Sequence, residues 1–171
     1  MKKLVIATLV MGVMASGVAS ANTGEVQFIG SVTDTTCNIS PEVGGAIKNT
    51  IELGTMKTDG SDAQEVTFKL VPDSADCLAK TDASVGWQSA GFNTTGLVNM
   101  KGDATGAAIK LTAVNSSTAN QAVTSNMQNI TFGNGNDAIG AFEFKAQLAK
   151  EGATATPGTV ISSAYYAVAY K

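Results

Sequence analysis

The sequence has no histidine, and all 11 of its basic residues are lysine. Without histidine, the commonest general base and a common metal ligand are missing. The formal net charge is −3. A nucleic-acid surface needs a basic patch, and so does polybasic attachment to a membrane; neither is provided for. The acidic residues are scattered. Asp59 and Asp62 flank Gly60, and Asp137 follows Gly133-Asn-Gly-Asn. Neither group fits the full spacing of a calcium loop, and both read as turn chemistry. No long stretch shows a 3.6-residue period. No enzyme activity, metal or cofactor is therefore expected.

What is present is glycine, alanine, threonine, serine, asparagine and valine in quantity, which suits short strands joined by turns. At the N-terminus, Lys2 and Lys3 precede an apolar run from Leu4 to Val18, and Ala19-Ser20-Ala21 has the form of a cleavage site. Residues 1–21 read as a secretory signal peptide; the run is too short to span a bilayer comfortably. The rest, about 150 residues, suffices for one domain. In an exported chain the two cysteines, Cys37 and Cys77, are expected to pair; the alternative is two free buried thiols. The loop closed by pairing is worth about 4 kcal/mol on the chain-entropy account.

Alternating segments recur at 25–32, 50–54, 65–71, 84–88, 108–114, 128–132 and 141–148, with a last one from Val160 to Tyr170. Turn signals separate them: Thr58-Asp-Gly-Ser-Asp62, Lys101-Gly-Asp103, Gly133-Asn-Gly-Asn-Asp137 and Thr156-Pro-Gly158. Strands at this spacing predict an all-β sandwich without a second domain. Four Asn-x-Ser/Thr triplets, at Asn38, Asn93, Asn115 and Asn129, are what chance gives in this composition.

The two ends are unusual. The last strand grows more apolar towards its terminus, with Tyr166, Val168 and Tyr170 on one face. Near the start, Gly24, Val26, Phe28, Gly30 and Val32 form a second period-2 series. An ordinary first strand of a sandwich would also give that series. The run Gly24-Glu-Val-Gln-Phe-Ile-Gly-Ser-Val-Thr-Asp-Thr-Thr-Cys37 resembles the start of the chaperone–usher pilins, the type 1-like fimbrial subunits. The second cysteine about 40 residues on, the penultimate Tyr170 and Gly158 fourteenth from the C-terminus also match. Within that family Asn22-Thr-Gly24 and Asp76-Cys-Leu-Ala-Lys-Thr-Asp82 look most like the K99-like group.

The resemblance implies an immunoglobulin-like β-sandwich lacking its seventh strand, so that a groove runs beside the C-terminal strand. A periplasmic chaperone would fill the groove first. At the outer-membrane usher, the N-terminal extension of a neighbouring, identical or related subunit would replace it. Residues 22–34 would then be the donor extension and 35–171 the pilin domain. Val26, Phe28 and Val32 would insert, with Gly24 and Gly30 where the groove is shallow. Gly158, Tyr166, Val168 and Tyr170 would belong to the groove-facing strand. The expected function is structural: a subunit of a cell-surface fimbria supporting adhesion to host cells. Glycan binding on the subunit itself is a further expectation, with Lys57, Lys101, Lys110 and Lys145 as the lysines within consideration. A minor or tip subunit and a self-contained secreted sandwich remain alternatives.

Overall fold

The computed structural model describes Gly30, Val32 and residues 37–171. Residues 1–21, expected to be a signal peptide, and Gly24, Val26 and Phe28 lie outside the described residues. Ten strands and one short helix follow in order: β1 (Ile39–Val43), β2 (Ala46–Ile47), β3 (Val66–Pro72), α1 (Ala75–Leu78), β4 (Asp82–Gln88), β5 (Leu97–Val98), β6 (Ala107–Ala113), β7 (Gln121–Val123), β8 (Asn129–Gly133), β9 (Phe142–Lys150) and β10 (Tyr165–Tyr170). They form two sheets with every pairing antiparallel. One sheet runs β2-β1-β3-β9-β6-β5, with β7 on β6; the other is β10-β4-β8. The expected all-β sandwich is present.

Alternation sets which face of each strand is buried. In β9, Phe142, Phe144, Ala146 and Leu148 point inward while Glu143, Lys145 and Gln147 point out. Phe68 and Leu70 of β3, Val85 and Trp87 of β4, and Ile130 and Phe132 of β8 meet them. Phe144 is the hub. Its ring lies 5.5 Å from Phe68, 5.2 Å from Trp87 and 5.6 Å from Phe132. Such pairs add about 0.5–1.5 kcal/mol each beyond their area burial. The outer face of the larger sheet is charged: Lys69 meets Glu143 at 2.7 Å across the β3–β9 register, and Lys145 meets Glu65 at 3.0 Å.

Cys37 and Cys77 form the expected disulfide, with Cα atoms 6.2 Å apart. It ties the run into β1 to α1, whose start is capped by Ser74 Oγ accepting from the Cys77 N–H at 3.3 Å. At the end of β8, Gly133 has φ +92°, and a Cβ there would sit 1.8 Å from the Thr81 carbonyl oxygen. Only glycine fits that turn. The Asp59 turn is also as expected: its carboxylate accepts from the Ser61 N–H at 2.9 Å and the Ser61 hydroxyl at 2.7 Å. These bonds favour the ionised carboxylate and hold its pKa below the usual value.

One expected strand is not one. Residues 50–54 alternate in burial, with Ile51 and Leu53 half-buried and Glu52 exposed, yet they join no ladder. The last strand also begins later than its alternation suggested, pairing only from Tyr165 onward.

Candidate functional site

The segment at 50–58 and the approach to β10 at 155–166 are the two walls of a trough, joined where the Ala155 N–H donates to the Thr58 carbonyl at 3.0 Å. It has two lobes, of about 560 and about 440 Å³, which share Thr50, Ile51, Leu53, Ile109, Ile161 and Ser162 and so run into one another. The first lobe is floored by small residues, Ala104, Ala107 and Ala155. The second is floored by Phe68, Leu70, Trp87 and Leu111 from the main core.

The main chain along both walls is short of partners. Residues 49–56 form no backbone hydrogen bond with any other described residue. On the other wall the register decides which groups are free. The Trp87 N–H donates to the Gln128 carbonyl at 2.7 Å, so the odd positions of β4 face β8. Ser84, Gly86 and Gln88 therefore face β10, opposite Ala169, Ala167 and Tyr165. Tyr166, Val168 and Tyr170 are left with their N–H and C=O groups on the open edge. The same parity continues upstream. The carbonyls of Thr159, Ile161 and Ser163 accept from the Ala104 N–H (3.0 Å), the Met100 N–H (2.9 Å) and the Ser89 hydroxyl (2.7 Å). Val160, Ser162 and Ala164 turn theirs outward. Both side chain and main chain repeat every two residues, so the residues that face the core are also those whose main-chain groups lack a partner among the described residues.

Of the expected groove residues, Gly158 and Tyr166 line the trough. Gly158 has φ +153°, and a Cβ would lie 2.5 Å from the Ala104 nitrogen, so the wall can approach that loop only at glycine. Val168 packs against the core, and Tyr170 is buried with its ring 5.9 Å from Phe142. Neither borders the open lobes. The Tyr166 hydroxyl donates to the Ile39 carbonyl at 2.8 Å, tying β10 to β1 at that end. Gly30 and Val32 lie away from the trough, on the outer face of the smaller sheet beside Ser84, Gly86, Ala167 and Ala169. Val32 is 96% exposed there.

Sequence reasoning missed the second wall and the floor. The alternation of Ile51 and Leu53 was visible, but alternation reports which side chains are buried and not whether the main chain has a partner. Nothing in the sequence marked Trp87 as a floor residue.

No family model matches the chain. Two curated proteins of Escherichia coli do resemble it. The F107 fimbrial protein is 35% identical over 175 residues, covering the whole of both chains. This chain belongs to the fimbrial protein family. The K99 fimbrial protein is also 35% identical, over 158 residues, covering 88% of this chain and 86% of its own.

Among the described residues of this fimbrial subunit, three buried side-chain atoms lack a hydrogen-bond partner: Trp87 Nε1, Ser162 Oγ and Tyr170 Oη. Two belong to residues lining the trough and the third to the strand that continues its wall. Buried polar groups are normally paired, and two of these exceptions line the trough. Burial also raises the pKa of both phenols, that of Tyr170 to about 12. The fold thus holds the neutral phenol. Its contribution to stability is intact below about pH 10, the ordinary phenol value, and is lost as pH rises towards 12. The denaturant midpoint of the subunit is expected to fall between pH 10 and 12, and Tyr170→Phe is expected to flatten that fall. An unchanged slope in the variant would show that Tyr170 is not its source.

Proposed function

We propose that this fimbrial subunit polymerises by strand exchange: its trough accepts the leading segment of a neighbouring subunit, and its own leading segment enters the next. The observation that carries this reading is the pair of walls with unpaired main chain over an apolar floor. An extended segment between residues 49–56 and the edge of β10 would bond to both, which is β-augmentation. Val26, Phe28 and Val32 supply alternate apolar side chains for such a role. Their burial is worth about 5–8 kcal/mol in total, and each main-chain bond adds about 1 kcal/mol net. Gly30 and Val32 are exposed and clear of the chain's own trough, as a segment given to a neighbour should be.

The inserted strand would complete the recipient's core, so removing it would partly unfold the recipient, and the junction would be kinetically stable. Head-to-tail joining that does not close gives an open filament. Before assembly the same open edge would be exposed to unwanted pairing. A periplasmic chaperone lending a strand, and an outer-membrane usher exchanging it, meet that need. The product is a fimbria on the cell surface.

The test removes Asn22–Gly30 while keeping the signal peptide. The shortened chain is expected to fold with its chaperone and not to polymerise. Continued polymerisation would overturn the proposal.

Adhesion to host cells, with glycan contact on the subunit itself, extends the reading. Lys57 and Lys145 are engaged with Asp62 and Glu65. Lys101 and Lys110 have no ion-pair partner among the described residues, and both are exposed. An acidic sugar would meet those two first. Purified fimbriae are expected to be retained on a sialylated glycolipid and released when it is desialylated; equal retention would remove the acidic-sugar version.

A further inference from the structure

We infer that Trp87 seats the incoming strand by hydrogen-bonding its main chain through the indole N–H, an inference that rests on the strand-acceptor reading above. Trp87 is the only tryptophan in the chain. It is 7% exposed and forms part of the trough floor. Its position is fixed from below. The backbone N–H is bonded to Gln128, and the ring packs against Phe144 at 5.2 Å, Phe68 at 6.3 Å and Tyr166 at 5.8 Å. Phe68 and Phe144 carry no acceptor; the Tyr166 hydroxyl donates to the Ile39 carbonyl, and its oxygen accepts nothing from the indole. Nε1 has no hydrogen-bond partner among the described residues.

An indole N–H can only donate, so what completes it must be an acceptor. An extended occupant brings one carbonyl per residue. A carbonyl approaches the floor closely only where no side chain holds the main chain away. The leading segment has two such places on its inserting face, Gly24 and Gly30. One of these glycines lies over the Trp87 ring, and the adjoining carbonyl accepts from Nε1. Ser162 Oγ, the other unpartnered atom on the trough lining, meets the same strand from the side wall. The role of Trp87 is positioning: it rewards close approach of the main chain and so favours one register over a slip of two residues.

The test uses assembled fimbriae of the full chain. With a single tryptophan, the ultraviolet resonance Raman band sensitive to indole hydrogen bonding reports Trp87 alone. It is expected at the position of an indole bonded to a carbonyl, with slow exchange of the indole proton for deuterium. Fimbriae carrying Trp87→Phe are expected to dissociate about tenfold faster on heating in detergent, the loss of about one hydrogen bond. A benzothienyl isostere at position 87, which keeps the volume and removes the donor, should do the same. In the Trp87→Phe background, one of Gly24→Ala and Gly30→Ala should lose most of its effect on dissociation. An unbonded or freely exchanging indole in intact fimbriae would overturn the inference and leave strand exchange standing. So would an isostere fimbria as durable as the original, or effects of both glycine variants that are independent of Trp87. If the intact chain formed no polymer, the strand-acceptor reading itself would fail. Should Trp87→Phe fail to fold, the Raman band of the unaltered fimbria still decides.

Discussion

The open edge of the last strand is the constraint on which the rest depends. From Val160 to Tyr170, alternate residues turn their side chains to the core and their main-chain groups to the side where no strand of the described residues stands. Backbone donors and acceptors left without a partner are costly once buried. An exposed sheet edge is also a template for pairing with another chain. Proteins usually blunt such edges with charge, proline or a bulge. Here Val160, Ala164, Val168 and the two tyrosines do the opposite, and the facing segment at 49–56 is unpaired too. Main-chain groups on both sides of the trough point to one kind of occupant, an extended peptide.

The rest of the fold serves to keep that vacancy from collapsing. Phe144, Phe68, Phe132 and Trp87 interlock beneath it without help from any occupant. The disulfide fixes the start of β1 to α1. The Tyr166–Ile39 bond holds β10 against β1 where the trough ends. These contacts order the floor of the trough among the described residues. The charged outer face of the larger sheet, with its Lys69–Glu143 and Lys145–Glu65 pairs, turns to solvent instead.

Much of this was legible in the sequence, for physical reasons that differ by element. The strands at 66–72 and 142–150 announce themselves because each has one buried and one charged face. Strand β1 does not: Ile39-Ser-Pro-Glu-Val is half-buried throughout and carries a proline, so alternation is weak. The segment at 50–54 misleads in the opposite way. Ile51 and Leu53 alternate as in a strand because they cover the core, but they join no ladder among the described residues. Periodicity reads side chains, and the trough is defined by main chain. Likewise Trp87 looks like any core aromatic until its nitrogen is found without a partner.

Amide hydrogen exchange on assembled fimbriae addresses the open edge most directly. The account predicts that the amides of Val160, Ser162, Ala164, Tyr166, Val168 and Tyr170, together with alternate amides of residues 49–56, exchange as slowly in the fimbria as those of the central strand β4. Exchange of these amides at the rate of exposed loops, in fimbriae that are otherwise intact, would contradict it.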